Sequence, residues 1–224
     1  MCGRMYSDVE AAEFLDLWGV RVPTAHRFRF NLAPTQEATI LRVDARGELE
    51  AVTARWGLVP AWHQGALEDF KAATFNARAE HARRKPTFRE PFRARRALVP
   101  IRGFYEWSGP RARRVPHLVR RRDGRPLVLA GLWERWAELD TFTVLTCAPN
   151  ADLRALHDRM PVVLLRRDWS AWLDPRTSRD AAERLLRPLP DGVLTAHPVD
   201  PAVGRVNVDE PWLTLPTQAE PTLL

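Results

Sequence analysis

The stretch ATILRV-DARG-ELEAVTARWGL, residues 38–58, limits the fold more than any other. Two apolar runs rich in β-branched residues flank a four-residue turn signal. They are too short and too sharply punctuated to be helices. The same grammar recurs down the chain. HLVRRR (117–122) and PLVLAGLWERW (126–136) flank Asp123-Gly124, a strong hairpin signal. FTVLTCA (142–148) and PVVLL (161–165) read as buried strands, with ADLRALHDR (151–159) a short helix between them. Residues 7–18 predict a helix capped by Ser7 and Glu10 and ended by Gly19. DWSAWL and SRDAAERLLRPL are later helices, capped by Asp168 and Ser178. Strands outnumber helices and pair mostly as antiparallel neighbours. The class is therefore α+β: a single domain with a strand-rich, barrel-like core and peripheral helices. The domain runs over residues 1–208, and 209–224, rich in Pro and Thr, is a loose C-terminal tail.

Composition excludes several functions. The 224 residues are 45% hydrophobic and 28% charged, which suits a soluble globular protein. No run is long enough to cross a bilayer, and Asp8, Glu10 and Glu13 interrupt any signal peptide. We expect a cytoplasmic monomer with no membrane partner. The two cysteines, Cys2 and Cys147, lie far apart, which argues against zinc and against a disulfide framework. We expect neither metal nor cofactor. Cys147 reads as a small buried hydrophobe. The net charge is +6, carried almost wholly by arginine. It fits a polyanion-binding surface and a solvated arginine-rich surface equally well.

Four stretches carry possible chemistry. MCGRM places a cysteine directly behind the initiator methionine. With Met1 removed, Cys2 offers an amine and a thiol on neighbouring carbons, titrating near roughly 7.7–8.0 and about 8.5. The amine condenses with an aldehyde to an imine, and the thiolate then closes a five-membered thiazolidine. In FNARAE, Asn76 offers a donor and an acceptor, and Arg78 a fork for phosphate. In RRALVPIRGFYEW, Glu106 sits among Phe104, Tyr105 and Trp107, a setting that raises a carboxyl pKa and suits a general acid–base. In LHDRMPVVL, His157 suits a proton shuttle. Each stretch also has a structural reading: Cys2 tucked into the core, Asn76 as a helix N-cap, Glu106 on a solvated edge, His157 as a satisfied turn residue.

Taken together, CGR, NLAPTQ (31–36), RWGLVPAW (55–62), NARAE (76–80), LVPIRGFYEW (98–107), GLWE (131–134) and HDRMPVVL (157–164) occur in the order found in the SRAP (SOS-response-associated peptidase) family, whose members are called abasic-site processing proteins. The chain resembles this family from residue 2 to about 208. The resemblance implies a sensor of abasic sites in single-stranded DNA that crosslinks covalently through Cys2. Asn76 would orient the Cys2 amine or the sugar, Glu106 would move protons, and His157 would hydrogen-bond the sugar oxygen and assist ring opening. Arg4, Arg78 and Arg159 would hold phosphates. Pro34, Trp62 and Trp107 would stack on bases or wedge the strand. On DNA the protein would be nucleoid-associated. Lyase activity at abasic sites would appear when the thiol is missing, and Met1 would be removed autocatalytically or by an aminopeptidase. One departure is His81, where the family often has Thr after NARAE. Two rival readings stand: a thiol peptidase with Cys2 as nucleophile and His157 as base, and a plain single-strand-binding module.

Overall fold

The computed structural model describes residues 2–110 and 113–217. Its strands, in chain order, are β1 Met5–Ser7, β2 Arg29–Leu32, β3 Glu37–Val43, β4 Leu49–Trp56, β5 Asn76–Arg78, β6 Arg96–Ile101, β7 Gly103–Ser108, β8 Val115–Arg121, β9 Leu127–Trp136, β10 Leu139–Cys147, β11 Met160–Pro161 and β12 Leu194–Pro198. The helices are α1 Ala11–Trp18, α2 Ala79–Ala82, α3 Pro86–Ala94, α4 Trp169–Leu173 and α5 Arg179–Arg184.

The opening hairpin is present: β3 and β4 pair from Glu37↔Arg55 to Val43↔Leu49 around the DARG turn. Next, β3 pairs with β6, β6 with β9, and β9 with β10. Finally β10 pairs in parallel with β4 at Thr141↔Arg55 and closes a five-strand barrel. Closure removes free strand edges and encloses a core in which Ile40, Trp56, Leu98, Leu129 and Phe142 have no exposure. The Trp56 and Phe142 rings stack at 6.4 Å. The run LVLAGL in β9 is apolar without alternation because both its faces are covered. The second sheet has the order β12-β8-β7-β1-β2. The fold is thus α+β, strand-rich and barrel-like, as the sequence indicates.

Several local expectations change. Asp123-Gly124 does turn the chain, with Gly124 at φ +72, but it joins two sheets rather than two paired strands. β8 pairs with β7 and β12, whereas β9 enters the barrel. A turn motif reports a local reversal and says nothing about which neighbours bury the flanking strands. The helix expected from Ser7 starts at Ala11, capped by Glu10 and by Glu13, whose carboxylate accepts the Glu10 N–H at 3.0 Å. Ser7 is drawn into β1 instead, while Gly19 ends α1 as expected, at φ +68. Residues 151–156 form turns rather than a helix. Asp152 there accepts the Gly192 and Leu194 amides at 2.9 and 3.0 Å, and Asn150 donates to the Leu189 carbonyl at 3.1 Å. These side-chain ties to the 189–194 segment displace the helical pattern. Of PVVLL, only Pro161 lies in a strand, with a single further bridge from Val163 to Leu129. Ser178 caps α5 by accepting the Ala181 amide, but the Asp168 carboxylate pairs with Arg187 at 3.0 Å.

Residues 209–217 are not a loose tail. Asp209 Oδ1 accepts the Phe30 and Asn31 amides at 2.7 and 2.8 Å, Arg29 pairs with Oδ2, and Leu213 is fully buried. Residues 218–224 lie outside the described residues.

Gly103 brings β1 and β8 against β7. A Cβ there would stand 2.6 Å from the Val119 carbonyl oxygen and 2.9 Å from Leu118 Cδ1. Gly103→Ala is expected to cost about 1–3 kcal/mol, lowering Tm by roughly 2–4 °C for each kcal/mol in a chain of this size. An unchanged thermal melt would remove this steric argument.

Candidate active site

The start of the chain is built into the molecule. β1 lies between β2 and β7, with Met5 opposite Phe104, and the Tyr105 N–H donates to the Arg4 carbonyl at 3.0 Å. Cys2 is 1% exposed. Its thiol donates weakly to the Arg4 carbonyl at 3.9 Å. Burial first, and the Glu106 charge second, push the Cys2 thiol far above its ordinary value.

A second residue reaches Cys2 from the other sheet. Asn76 is not a helix cap; it lies in β5, paired in parallel with β10 at Val144, and α2 begins only at Ala79. Strand pairing fixes the Asn76 backbone, so its side-chain amide donates to the Cys2 carbonyl at 2.6 Å. Its other atom, Oδ1, is buried and has no hydrogen-bond partner among the described residues.

Glu106 sits in β7 and is 3% exposed, so it is not the solvated edge residue of the structural reading. Burial raises its carboxyl to about 7, and the nearby Asp158 charge adds to the rise. A carboxyl raised to that range can serve as acid or base near neutral pH.

His157 ends the turn that leaves β10 and is half-buried. Burial lowers its basicity, and the Arg114 charge lowers it further. Its Nδ1 accepts the Arg159 amide at 3.0 Å and stands 2.7 Å from Asp158 Oδ1. Cys2, Asn76 and Glu106 are therefore joined by a hydrogen bond and by charge. Asp158, acting on both Glu106 and His157, ties in the fourth.

The remaining sequence candidates divide. Trp62 is 62% exposed and Arg78 is exposed. Trp107 is half-buried beside the Tyr6–Tyr105 cluster. Pro34 is half-buried next to Thr35, whose φ is +77. Arg4 already donates to Asn31 Oδ1 at 3.0 Å and to the Val203 and Gly204 carbonyls at 2.7 and 3.1 Å. Arg159 meets Glu80 through two bonds of 2.7 and 2.9 Å and also donates to the Thr146 carbonyl. His81 is exposed on α2. Cys147 is buried.

Sequence reasoning missed Asn31, Glu80 and Asp158. Asn31 has no exposure, and its amide also donates to the Arg205 and Val208 carbonyls at 2.9 and 2.7 Å. The only signal for it was its place in NLAPTQ. Those partners lie more than 170 residues away, which no local pattern reveals.

A family model described as SOS response associated peptidase (SRAP) matches residues 1–206. The chain belongs to the SRAP family. Among its relatives, "Abasic site processing protein YoqW" of Bacillus subtilis is 31% identical over 225 residues, covering 95% of this chain and 98% of that protein. "Abasic site processing protein YedK" of Escherichia coli is 27% identical, covering 92% and 96%. A crystal structure of a Bacteroides thetaiotaomicron protein superposes with a TM-score of 0.86 at 22% identity, covering 96% of this chain and all of the other. That likeness concerns the fold alone. The four clustered residues of this SRAP chain all fall inside the matched range.

Proposed function

We propose that this protein processes abasic sites in single-stranded DNA by forming a covalent thiazolidine through Cys2, exposed as the N-terminal residue once Met1 is removed. The observation that carries this reading is the Cys2 carbonyl held at 2.6 Å by Asn76, beside a buried Glu106 carboxyl poised near 7.

An abasic deoxyribose opens to an aldehyde. The Cys2 amine adds to its carbonyl carbon, and Glu106 as acid donates the proton with which hydroxide departs as water. This leaves an imine. One amine hydrogen having gone to the departing oxygen, the imine nitrogen keeps the other. The thiol then adds to the imine carbon: a C–S bond forms, the C=N electron pair returns to nitrogen, and the thiol proton passes to the Glu106 carboxylate. The net change is amine, thiol and aldehyde to thiazolidine plus water. Closing the ring removes the imine that would promote β-elimination and strand scission. Asn76 orients the Cys2 end of the chain, and His157 serves the sugar oxygen. Arg78 and Trp62 are exposed as phosphate and base contacts need to be, and Arg4, Arg159, Pro34 and Trp107 are assigned to the same strand contacts. The protein acts alone, without metal or cofactor, in the cytoplasm.

One feature disfavours the thiol-peptidase reading. A thiol nucleophile needs a lowered pKa, and here burial and Glu106 drive the thiol the other way. An amine-first reaction tolerates that, because Glu106 takes the proton during ring closure.

The test is a denaturing gel of mature protein with single-stranded DNA, with and without one abasic site. A shifted covalent band is expected only with the abasic strand. No band, or equal noncovalent affinity for both strands, overturns the reading. Extending the mature N-terminus with an uncleavable residue separates the two chemistries: crosslinking is expected to vanish, whereas thiol proteolysis would survive.

A further inference from the structure

The two neighbours of His157 Nδ1 make opposite demands. The Arg159 N–H donates to it at 3.0 Å, which requires a lone pair on the ring nitrogen. The Asp158 carboxylate oxygen stands 2.7 Å from the same atom, a contact that stabilises only when the nitrogen carries a hydrogen. One ring state cannot satisfy both. The Arg159 amide belongs to backbone that runs straight into β11 and whose side chain is tied to Glu80 and Thr146, whereas the Asp158 carboxylate is 82% exposed and water replaces the ring at little cost. A resting neutral ring therefore gives Nδ1 to the amide and keeps its hydrogen on Nε2. A cationic ring carries hydrogens on both nitrogens. The ring then gives up the amide, and the carboxylate takes Nδ1–H.

We propose that Asp158 is a positioning residue that switches His157 between two jobs: hydrogen-bond donor when Nδ1 is held by the Arg159 amide, proton carrier when Nδ1–H is held by Asp158. Its use in the reaction rests on the function proposed above. In the carrier state the imidazolium passes its Nε2 proton to the ring oxygen of the closed sugar. The bond from that oxygen to the anomeric carbon breaks, and the anomeric hydroxyl loses its proton to water, giving the aldehyde. The neutral ring left behind carries Nδ1–H on Asp158 until water returns a proton to Nε2. The charges acting on the ring are Asp158, which favours the cation, and Arg114 and the N-terminal amine, which oppose it. The Asp158 charge also acts on Glu106, so one exposed carboxylate influences both titrating groups of the site.

The test follows the ring nitrogens of His157 by ¹⁵N NMR across a pH titration, in the full chain and in Asp158→Asn. The expected wild-type ring is neutral at alkaline pH with hydrogen on Nε2. Asp158→Asn keeps that neutral form but binds the proton about two- to fivefold more weakly, the scale of an exposed ion pair. Equal titration in both proteins, or a wild-type neutral ring with hydrogen on Nδ1, overturns the switch. A second arm measures crosslinking to abasic single-stranded DNA against pH. In Asp158→Asn the His157 limb is expected to move to lower pH by the same factor, and coincident profiles overturn the assignment. Failure of the wild type to crosslink sinks the proposed function instead, and the NMR titration still decides the role of Asp158.

Discussion

Mature Cys2→Ala protein mixed with abasic single-stranded DNA is expected to give no heat-stable adduct, a fall from near-complete crosslinking to background. The substitution removes only the thiol. Thiazolidine closure is intramolecular, and effective molarities for tethered nucleophiles reach roughly 10⁵ M or more, so no external thiol at ordinary concentration substitutes for it. The amine of residue 2 remains, so imine formation and slow strand nicking persist. Borohydride reduction of that imine is expected to trap a covalent species in the variant, while heating without reductant leaves none. A heat-stable adduct in unreduced Cys2→Ala reactions sinks the assignment of Cys2. The fold provides the control: Cys2 is buried, but a Cys-to-Ala change removes one sulfur atom, so the variant is expected to remain folded.

The second large effect belongs to Glu106. Glu106→Gln keeps the shape and the hydrogen-bonding capacity but cannot exchange a proton. Crosslinking is expected to slow by about 10²- to 10⁴-fold, the usual contribution of a positioned acid–base group. The inflection near pH 7 is expected to disappear with it. Stability moves the opposite way. In the folded chain the Glu106 carboxyl titrates at about 7, whereas an unfolded chain gives it roughly the free value near 4.3. Between those two values the unfolded state has lost a proton that the folded state keeps. Stability therefore falls as pH rises through this window, and the full penalty applies above 7. Glu106→Gln escapes the penalty. Its Tm is expected to exceed that of the wild type at pH 8, by about 2–4 °C for each kcal/mol recovered, and to approach it at pH 4. A lower Tm at pH 8, or a crosslinking rate unchanged across pH, would show that the buried carboxyl is structural.

Most of the strands were legible in the sequence because burial and turn chemistry are local. Apolar runs such as ATILRV and FTVLTCA became β3 and β10. Pairing was not legible. Asp123-Gly124 looks like a hairpin from any window of a dozen residues, yet its flanks belong to different sheets. Asn76 looks like a helix cap until β10, nearly seventy residues on, pairs with it. ADLRALHDR carries helical spacing, but Asp152 and Asn150 spend their polar atoms on residues 189–194. The stretch from Asp209 looks loose in composition, and its anchors, Phe30 and Asn31, lie far up the chain.

The sequence by itself determined the functional groups available: a thiol at Cys2, an amide at Asn76, a carboxyl among aromatics at Glu106 and an imidazole at His157. Residue types and their order fix that much, because functional groups are covalent facts. Only the tertiary structure decided how those groups behave. Burying Cys2 and Glu106 together raises both above their ordinary titration ranges, through desolvation that no linear motif encodes. Bringing β5 beside β10 places Asn76 on the Cys2 carbonyl. Committing Arg4 and Arg159 to carbonyls and to Glu80 restricts two forks that looked free in the sequence. Both the desolvation and the placement depend on contacts between residues far apart in the chain, such as Asn76 with Cys2 and with Val144.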